Sequence, residues 1–375
     1  MLYLVTRALE QNQTYGELMK SILINLTRFT PVCFFFILLT CSQVGDLPEQ
    51  NASEHDYTLN ENIEWATPEG FPLTMDIYTP VTSQESYPVL IIIHGGGWLI
   101  NDKSPMTAMS DYIAKHANYV ICNVNYRLLI DQDDTVTMDE IIEDAMGAVL
   151  WVKANISSYR GDPDKIMVTG DSAGGHLAAM VLLAGKQLES DGFSGATLGF
   201  NPSYLPNGKT AEMIASESGL TVQGAILSYA AFDMVEACQQ DGLESANNIF
   251  WAMAGAAPRG IFGSDISLED NPEFYKAVSP IYLIPDASEQ ALPPVLCTSG
   301  SIDYVVPPAS VEAFVDSLRD HGHDVEYWIH EGRNHAFLDG GSNPFLGTEF
   351  NRDGIPALLK MIEFMDQVFY NASAH

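Results

Sequence analysis

An α/β fold built on a mostly parallel central sheet is predicted by three features of the sequence. Apolar β-rich runs alternate with helical patterns, two of those runs show no polar alternation, and glycine-rich turns follow both of them. The expected strands are 58–65, 73–78, 88–94, 119–126, 165–169, 224–229, 295–299 and 324–329, about eight in all. Val89-Leu-Ile-Ile-Ile93 and Ile166-Met-Val168 lack the polar–apolar alternation of a half-exposed strand, so they belong at the centre of the sheet with both faces covered. The covering helices are expected at 106–117, 138–155, 172–187, 309–321 and 354–369. In the second, Ile141, Ile142, Ala145, Val149 and Val152 recur at helical spacing and make one apolar face.

Two stretches interrupt this alternation. Residues 188–222 are rich in Gly, Ser, Asn and Pro, and residues 234–290 carry Phe250, Trp251, Met253, Phe262, Phe274 and Tyr275. Long insertions between sheet elements form lids or binding loops. The aromatics and Met253 therefore either line an apolar acyl or aryl pocket or pack the insertion onto the body.

Composition sets the outer bounds. The chain has 375 residues, 46% hydrophobic and 18% charged, which excludes a disordered or collagen-like protein and provides for a sizeable core in one large domain or two small ones. Seventeen Lys and Arg against 49 Asp and Glu give a net charge of −32. That field repels phosphate backbones and anionic lipid headgroups, so nucleic acid is excluded as a partner. The acidic residues are dispersed, as suits a soluble protein in a saline or extracytoplasmic setting.

Within residues 1–42, Lys20 and Arg28 precede the apolar run Pro31-Val-Cys-Phe-Phe-Phe-Ile-Leu-Leu-Thr-Cys41. A basic region followed by a short apolar run reads as a secretory signal, with Met1 and Met19 both open as the start. Leu38-Leu39-Thr40-Cys41 also resembles a bacterial lipobox, although Thr stands where Gly, Ala or Ser is usual. Plain secretion, a periplasmic location and a membrane tether through a lipidated Cys41 all stay open. Residues 43–57 read as a polar tether, and 58–371 as a catalytic domain with insertions at 188–222 and 234–290. Beyond the signal, Cys122, Cys238 and Cys297 have no paired spacing, so neither a disulfide framework nor a zinc cluster is indicated.

The chemistry is carried by two glycine-rich turns. Gly170-Asp171-Ser172-Ala173-Gly174 follows the buried strand ending at Thr169 and opens a helix, the G-x-S-x-G arrangement that lifts a serine hydroxyl above a sheet in strained backbone geometry. The N–H of Ala173 then lies at the positive end of that helix, where an oxyanion would sit. His94-Gly95-Gly96-Gly97-Trp98 ends another buried strand. Its glycines let backbone donors approach a ligand closely, each supplying about 3 kcal/mol to a tetrahedral intermediate. Gly96, Gly97 and Ala173 are assigned to the oxyanion hole, and His94 to holding the loop by a hydrogen bond.

A serine hydroxyl needs a base, and on this architecture the order along the chain is Ser, then Asp or Glu, then His. Of His321, His323, His330, His335 and His375, only His335 lies in the loop past the last strand, where a base returns over the sheet. His321 and His323 end a helix, where a cation suits the dipole. Asp303, just beyond an apolar strand, is the expected partner of His335, with Asp233 as the second candidate.

Together these residues resemble the hormone-sensitive-lipase-like branch of the α/β-hydrolases, and within it the bacterial BD-FAE-like esterases. The likeness runs from Leu73-Thr-Met-Asp-Ile-Tyr-Thr-Pro80 through His94-Gly-Gly-Gly-Trp, Tyr126-Arg-Leu and Gly170-Asp-Ser-Ala-Gly-Gly-His-Leu to Asp303 and His335. It implies an α/β-hydrolase fold with cap insertions, Asp171 and Gly175 shaping the elbow, and a variable region before the acid that contributes to substrate choice. Arg333-Asn334 before the base departs from the family's common glycine-rich pattern. The expected activity is that of a serine carboxylesterase on short-acyl, aryl or carbohydrate-linked esters through an acyl-enzyme, with no metal or organic cofactor implied. An amidase, arylformamidase or peptidase of the same superfamily and a non-catalytic binding protein are the alternatives. The oligomeric state is left open.

Overall fold

The computed structural model describes residues 54–239, 242–246 and 248–370. The expected signal at 1–42, most of the tether, Cys41 and His375 lie outside them.

Eight strands form one sheet: β1 (Tyr57–Ala66), β2 (Leu73–Pro80), β3 (Tyr87–Ile93), β4 (Val120–Val124), β5 (Gly161–Asp171), β6 (Gly224–Ser228), β7 (Val295–Gly300) and β8 (Val325–His330). Their order across the sheet is β1-β2-β4-β3-β5-β6-β7-β8. The β1–β2 and β2–β4 pairs are antiparallel, and every pair from β4 to β8 is parallel. The central position expected for 89–93 follows from burial: all seven residues of β3 are inaccessible, and its neighbours β4 and β5 sandwich it.

Successive β3 side chains serve two cores. Val89, Ile91 and Ile93 join the cluster formed with α2 (Met138–Asn155), α3 (Ala173–Leu183) and α7 (Pro308–Asp320). Leu90 and Ile92 join the opposite cluster, with α1 (Thr107–His116) and α8 (Ile355–Phe369). Helices thus cover both faces, which is why 89–93 carries no polar residue. Helix α2 begins with a capping box in which the Thr137 N–H donates to the Glu140 carboxylate at 2.8 Å. Its buried face also bears Asp144, which pairs with Arg127 at 2.9 Å.

Several boundaries differ from expectation. The helix predicted from Ser172 starts at Ala173, because Ser172 itself has φ 51° and ψ −119°, and it ends at Leu183 rather than at Gln187. Strand β5 starts at Gly161, before the turn-like Asp162-Pro163-Asp164, because Gly161 pairs with Tyr87 ahead of an irregularity in the ladder. The insertions hold short helices too brief for periodicity to reveal: α4 (Ala211–Ser216), α5 (Ile249–Ala254) and α6 (Pro272–Ala277).

The insertion aromatics divide between the two readings. Trp251 and Tyr275 are fully buried, and Phe262 nearly so. Phe262 and Phe274 meet edge to face at 5.5 Å and both pack on Phe193 of the first insertion. For these four the packing role holds. Met253 is 61% exposed. Phe250 reaches the His94–Trp98 loop.

The elbow depends on how closely α3 approaches β3. A β-carbon added to Gly174 would lie 1.9 Å from the carbonyl oxygen of Ile93, backbone that cannot yield. Gly174→Ala should therefore lower unfolding stability by about 1–3 kcal/mol or more by overpacking. Gly185→Ala, where the nearest atom would be 3.4 Å away, should leave it nearly unchanged. Urea denaturation of the two variants checks the contrast.

Candidate active site

Parallel strands end on the same side of the sheet, so the loops after β3, β5, β7 and β8 gather at one rim. Ile93 lies beside Gly170, and Gly300 beside His330, in the ladders that set this register. Ser172 sits in the sharp turn from β5 to α3, where its N–H donates to Ser228 O at 2.9 Å and its carbonyl accepts from His176 N at 3.1 Å. Its positive φ is strain held in place by those two bonds and by the packed glycines on either side.

The structure brings Ser172, Asp303 and His335 together. His335 Nε2 is 2.8 Å from Ser172 Oγ, and its Nδ1 is 2.7 Å from Asp303 Oδ2. Because a carboxylate only accepts, Nδ1 carries the proton and Nε2 is left to accept from the serine hydroxyl. The other carboxylate oxygen of Asp303 accepts from the N–H groups of Val305 at 2.8 Å and Val306 at 2.9 Å. Asp303 and His335 are each 5% exposed, so their pairing operates away from bulk water.

The second candidate acid is elsewhere engaged. Asp233 Oδ1 accepts from Val235 N and Glu236 N, and its Oδ2 from the Tyr282 hydroxyl at 3.0 Å. It caps a turn. The other histidines are likewise structural: His321 bonds to Ser317 O, His323 to Pro285 O and His330 to Asp353 O.

The glycine loop is held from several sides. His94 Nδ1 donates to Gly95 O at 2.7 Å, and the ring stacks on Tyr126 with centroids 4.3 Å apart. The Tyr126 hydroxyl donates to His94 O at 2.8 Å, which gives the Tyr126-Arg-Leu segment its part in the site. Burial pushes the His94 imidazole down to about 4, so it is neutral at ordinary pH. Trp98 Nε1–H donates to His176 Nδ1 at 3.2 Å, and His176 Nε2–H donates to Val278 O at 2.7 Å. That one buried ring clips the loop to α3 and α3 to the second insertion, and burial lowers it too to about 4.

Gly96 and Gly97 have φ of 125° and 60°, and a β-carbon on Gly96 would lie 2.1 Å from Ile100 O. Only glycine fits there. Among the described residues neither the Gly96 N–H nor the Gly97 N–H meets an acceptor, and the Ala173 N–H is the first of α3. These three donors are the ones the sequence assigns to the oxyanion. Asp171 fastens the loop to the elbow by accepting from Gly95 N at 2.8 Å. Burial, with the carboxylate of Asp339 beside it, pushes the Asp171 carboxyl well above the usual carboxylate range. No cluster of His, Cys, Asp and Glu suited to a metal ion occurs among the described residues.

The model of the BD-FAE family matches residues 75–318, a span that holds Ser172, Asp303 and the glycine loop. The chain belongs to the BD-FAE family. It is also 30% identical over 251 residues to Esterase LipQ of Mycobacterium tuberculosis, covering 67% of this chain and 50% of that protein. To the isoprenylcysteine alpha-carbonyl methylesterase ICME of Arabidopsis thaliana it is 28% identical over 267 residues, covering 70% of this chain and 54% of that one. The chain thus spans about half the length of the curated relatives it matches. Apo esterase 2 of Thermogutta terrifontis superposes with a TM-score of 0.58 at 20% identity, over 85% of this chain and 96% of that one. The fold is that of the α/β-hydrolases.

In this BD-FAE chain, sequence reasoning misses Tyr229 and the role of Asn334. Tyr229, just past β6, packs its ring edge to face on His335 with centroids 4.8 Å apart, while its hydroxyl accepts from Leu338 N at 3.2 Å. Asn334 Oδ1 accepts from His335 N at 2.8 Å and Tyr304 N at 3.3 Å, and its amide donates to Leu346 O at 3.2 Å. The departure from a glycine-rich stretch at 334 is therefore a bracket tying the acid loop to the base loop. Its signal was the departure itself.

If Asp303 fixes the imidazole, Asp303→Asn should slow labelling of Ser172 by a fluorophosphonate by about ten-thousand-fold through the wrong tautomer. Asp233→Asn should label at the rate of the unaltered protein. Stopped-flow or gel-based labelling rates decide between the two acids.

Proposed function

We propose that this protein is a serine carboxylesterase. The observation that carries the reading is the unbroken relay of Ser172 Oγ, His335 Nε2, His335 Nδ1 and Asp303 Oδ2, at 2.8 Å and 2.7 Å. Ser172 attacks the ester carbonyl as His335 takes its proton, and Asp303 stabilises the imidazolium that forms. The negative oxygen is met by the N–H groups of Gly96, Gly97 and Ala173. Collapse transfers the proton from His335 to the departing alcohol and leaves an acyl group on Ser172. Water, deprotonated by His335, then attacks that acyl group, releasing the acid and restoring the serine.

Support comes from the relatives as well: one is named an esterase and the other a methylesterase. The substrates proposed are short-acyl, aryl or carbohydrate-linked esters. The site of action proposed lies outside the cytoplasm, on the strength of the basic and apolar pattern within 19–42.

Purified protein should hydrolyse p-nitrophenyl butyrate at least a hundredfold faster than the matched p-nitroanilide. Ser172→Ala should lower ester turnover by about a millionfold, to the level left by oxyanion donors and binding. Faster anilide cleavage would make it an amidase, and a Ser172 that no fluorophosphonate labels would make the fold a binding module.

A further inference from the structure

Helix α5 lies within the second insertion and is only six residues long, yet its side chains point to three different surroundings. Trp251 is 1% exposed, and its indole N–H donates to Leu243 O at 2.8 Å, anchoring the helix to the insertion. Ile249 and Met253 are 65% and 61% exposed and face solvent. Phe250 lies against the glycine loop: a β-carbon built on Gly97 would be 2.7 Å from its Cγ and 2.8 Å from its Cδ1. Its own N–H is tied to Asn248 Oδ1 at 2.9 Å, the cap of the helix. The ring is thus held at a fixed height over Gly97 by an anchored neighbour and a capped helix start.

Gly97 is one of the donors to the oxyanion. A carbonyl whose oxygen rests on its N–H carries its substituents one bond further on, so a ring already in contact with Gly97 borders the space those substituents enter. Filled space there excludes a long or branched chain, and each methylene that finds no room costs about tenfold or more in specificity. We propose that Phe250 is the specificity-determining residue of this site and that it restricts the acyl group to short chains, so that the substrates are short-chain carboxylic esters. This rests on the esterase reading above.

The test compares kcat/KM for p-nitrophenyl acetate, butyrate and octanoate, which share one alcohol, in the unaltered protein and in Phe250→Ala, Phe250→Leu and Phe250→Trp. The unaltered protein should favour acetate over octanoate by about a hundredfold or more. The octanoate-to-acetate ratio should rise about tenfold or more in Phe250→Ala, less in Phe250→Leu, and fall in Phe250→Trp. Because the readout is a ratio within each variant, a uniform loss caused by a disturbed glycine loop leaves it unmoved. A variant that fails to fold removes one point from a graded series, not the series. Ratios unchanged within twofold in enzymes that still turn over acetate overturn the proposal and leave the esterase reading standing. So does a shift confined to a parallel series of acetates with different alcohols. No hydrolysis of any ester by the unaltered protein overturns the esterase reading, and the proposal with it.

Discussion

The start of α3 lies so close to the end of β3 that no side chain can stand between them, and the site is arranged around that approach. Gly174 touches the carbonyl of Ile93, and Gly170 is equally tight against Gly174. This contact forces the chain through a turn in which Ser172 takes a backbone conformation that most residues avoid. The strain is sustained by a sheet in which β3 and the last six residues of β5 are buried, so the turn cannot relax without disturbing the core. The same approach brings the glycine loop after β3 alongside Ser172, because that loop begins at the very carbonyl against which the helix packs. Ser172 and the glycine loop are in this sense one structural unit, with Asp171 as the stitch between them.

Asp303 and His335 form a second unit, joined by the backbone. Ile302 N donates to Arg333 O at 3.1 Å, Gly332 N donates to Ser301 Oγ at 2.8 Å, and Asn334 bridges both loops. Asp303 and His335 are therefore placed by the lacing of their loops and not only by their own hydrogen bond. Buried charge is handled differently here from the strongly acidic chain as a whole. Asp303 is met by two backbone donors and an imidazole, which offsets the cost of taking a carboxylate out of water.

Much of this was legible in the sequence, for identifiable reasons. Strands such as 89–93 announce themselves because a strand covered on both faces has no polar residues to hide among. Ser172 and His335 could be picked out because each occupies a loop at the carboxyl end of a strand, in the order this architecture needs. What stayed hidden depends on contacts between remote segments. Nothing near Asp233 shows that a turn and Tyr282 will claim its carboxylate, and nothing near Tyr229 shows that its ring will press on an imidazole 106 residues away. The insertion aromatics were ambiguous because burial against the body and exposure to a pocket make the same demand on composition. Only coordinates separate Phe250 from Trp251, its neighbour in sequence.

His176 carries an implication for tolerance of acid. Its two ring nitrogens are used in opposite senses, one receiving the indole hydrogen of Trp98 and the other giving its hydrogen to Val278. Only the uncharged ring can do both. Once a second proton is forced onto it, two hydrogens confront each other across the Trp98 contact, and the glycine loop loses its fastening to the elbow helix while the bond from Nε2 to Val278 stays. Acid thus reaches the glycine loop from behind, through a buried ring that ties it to the elbow helix.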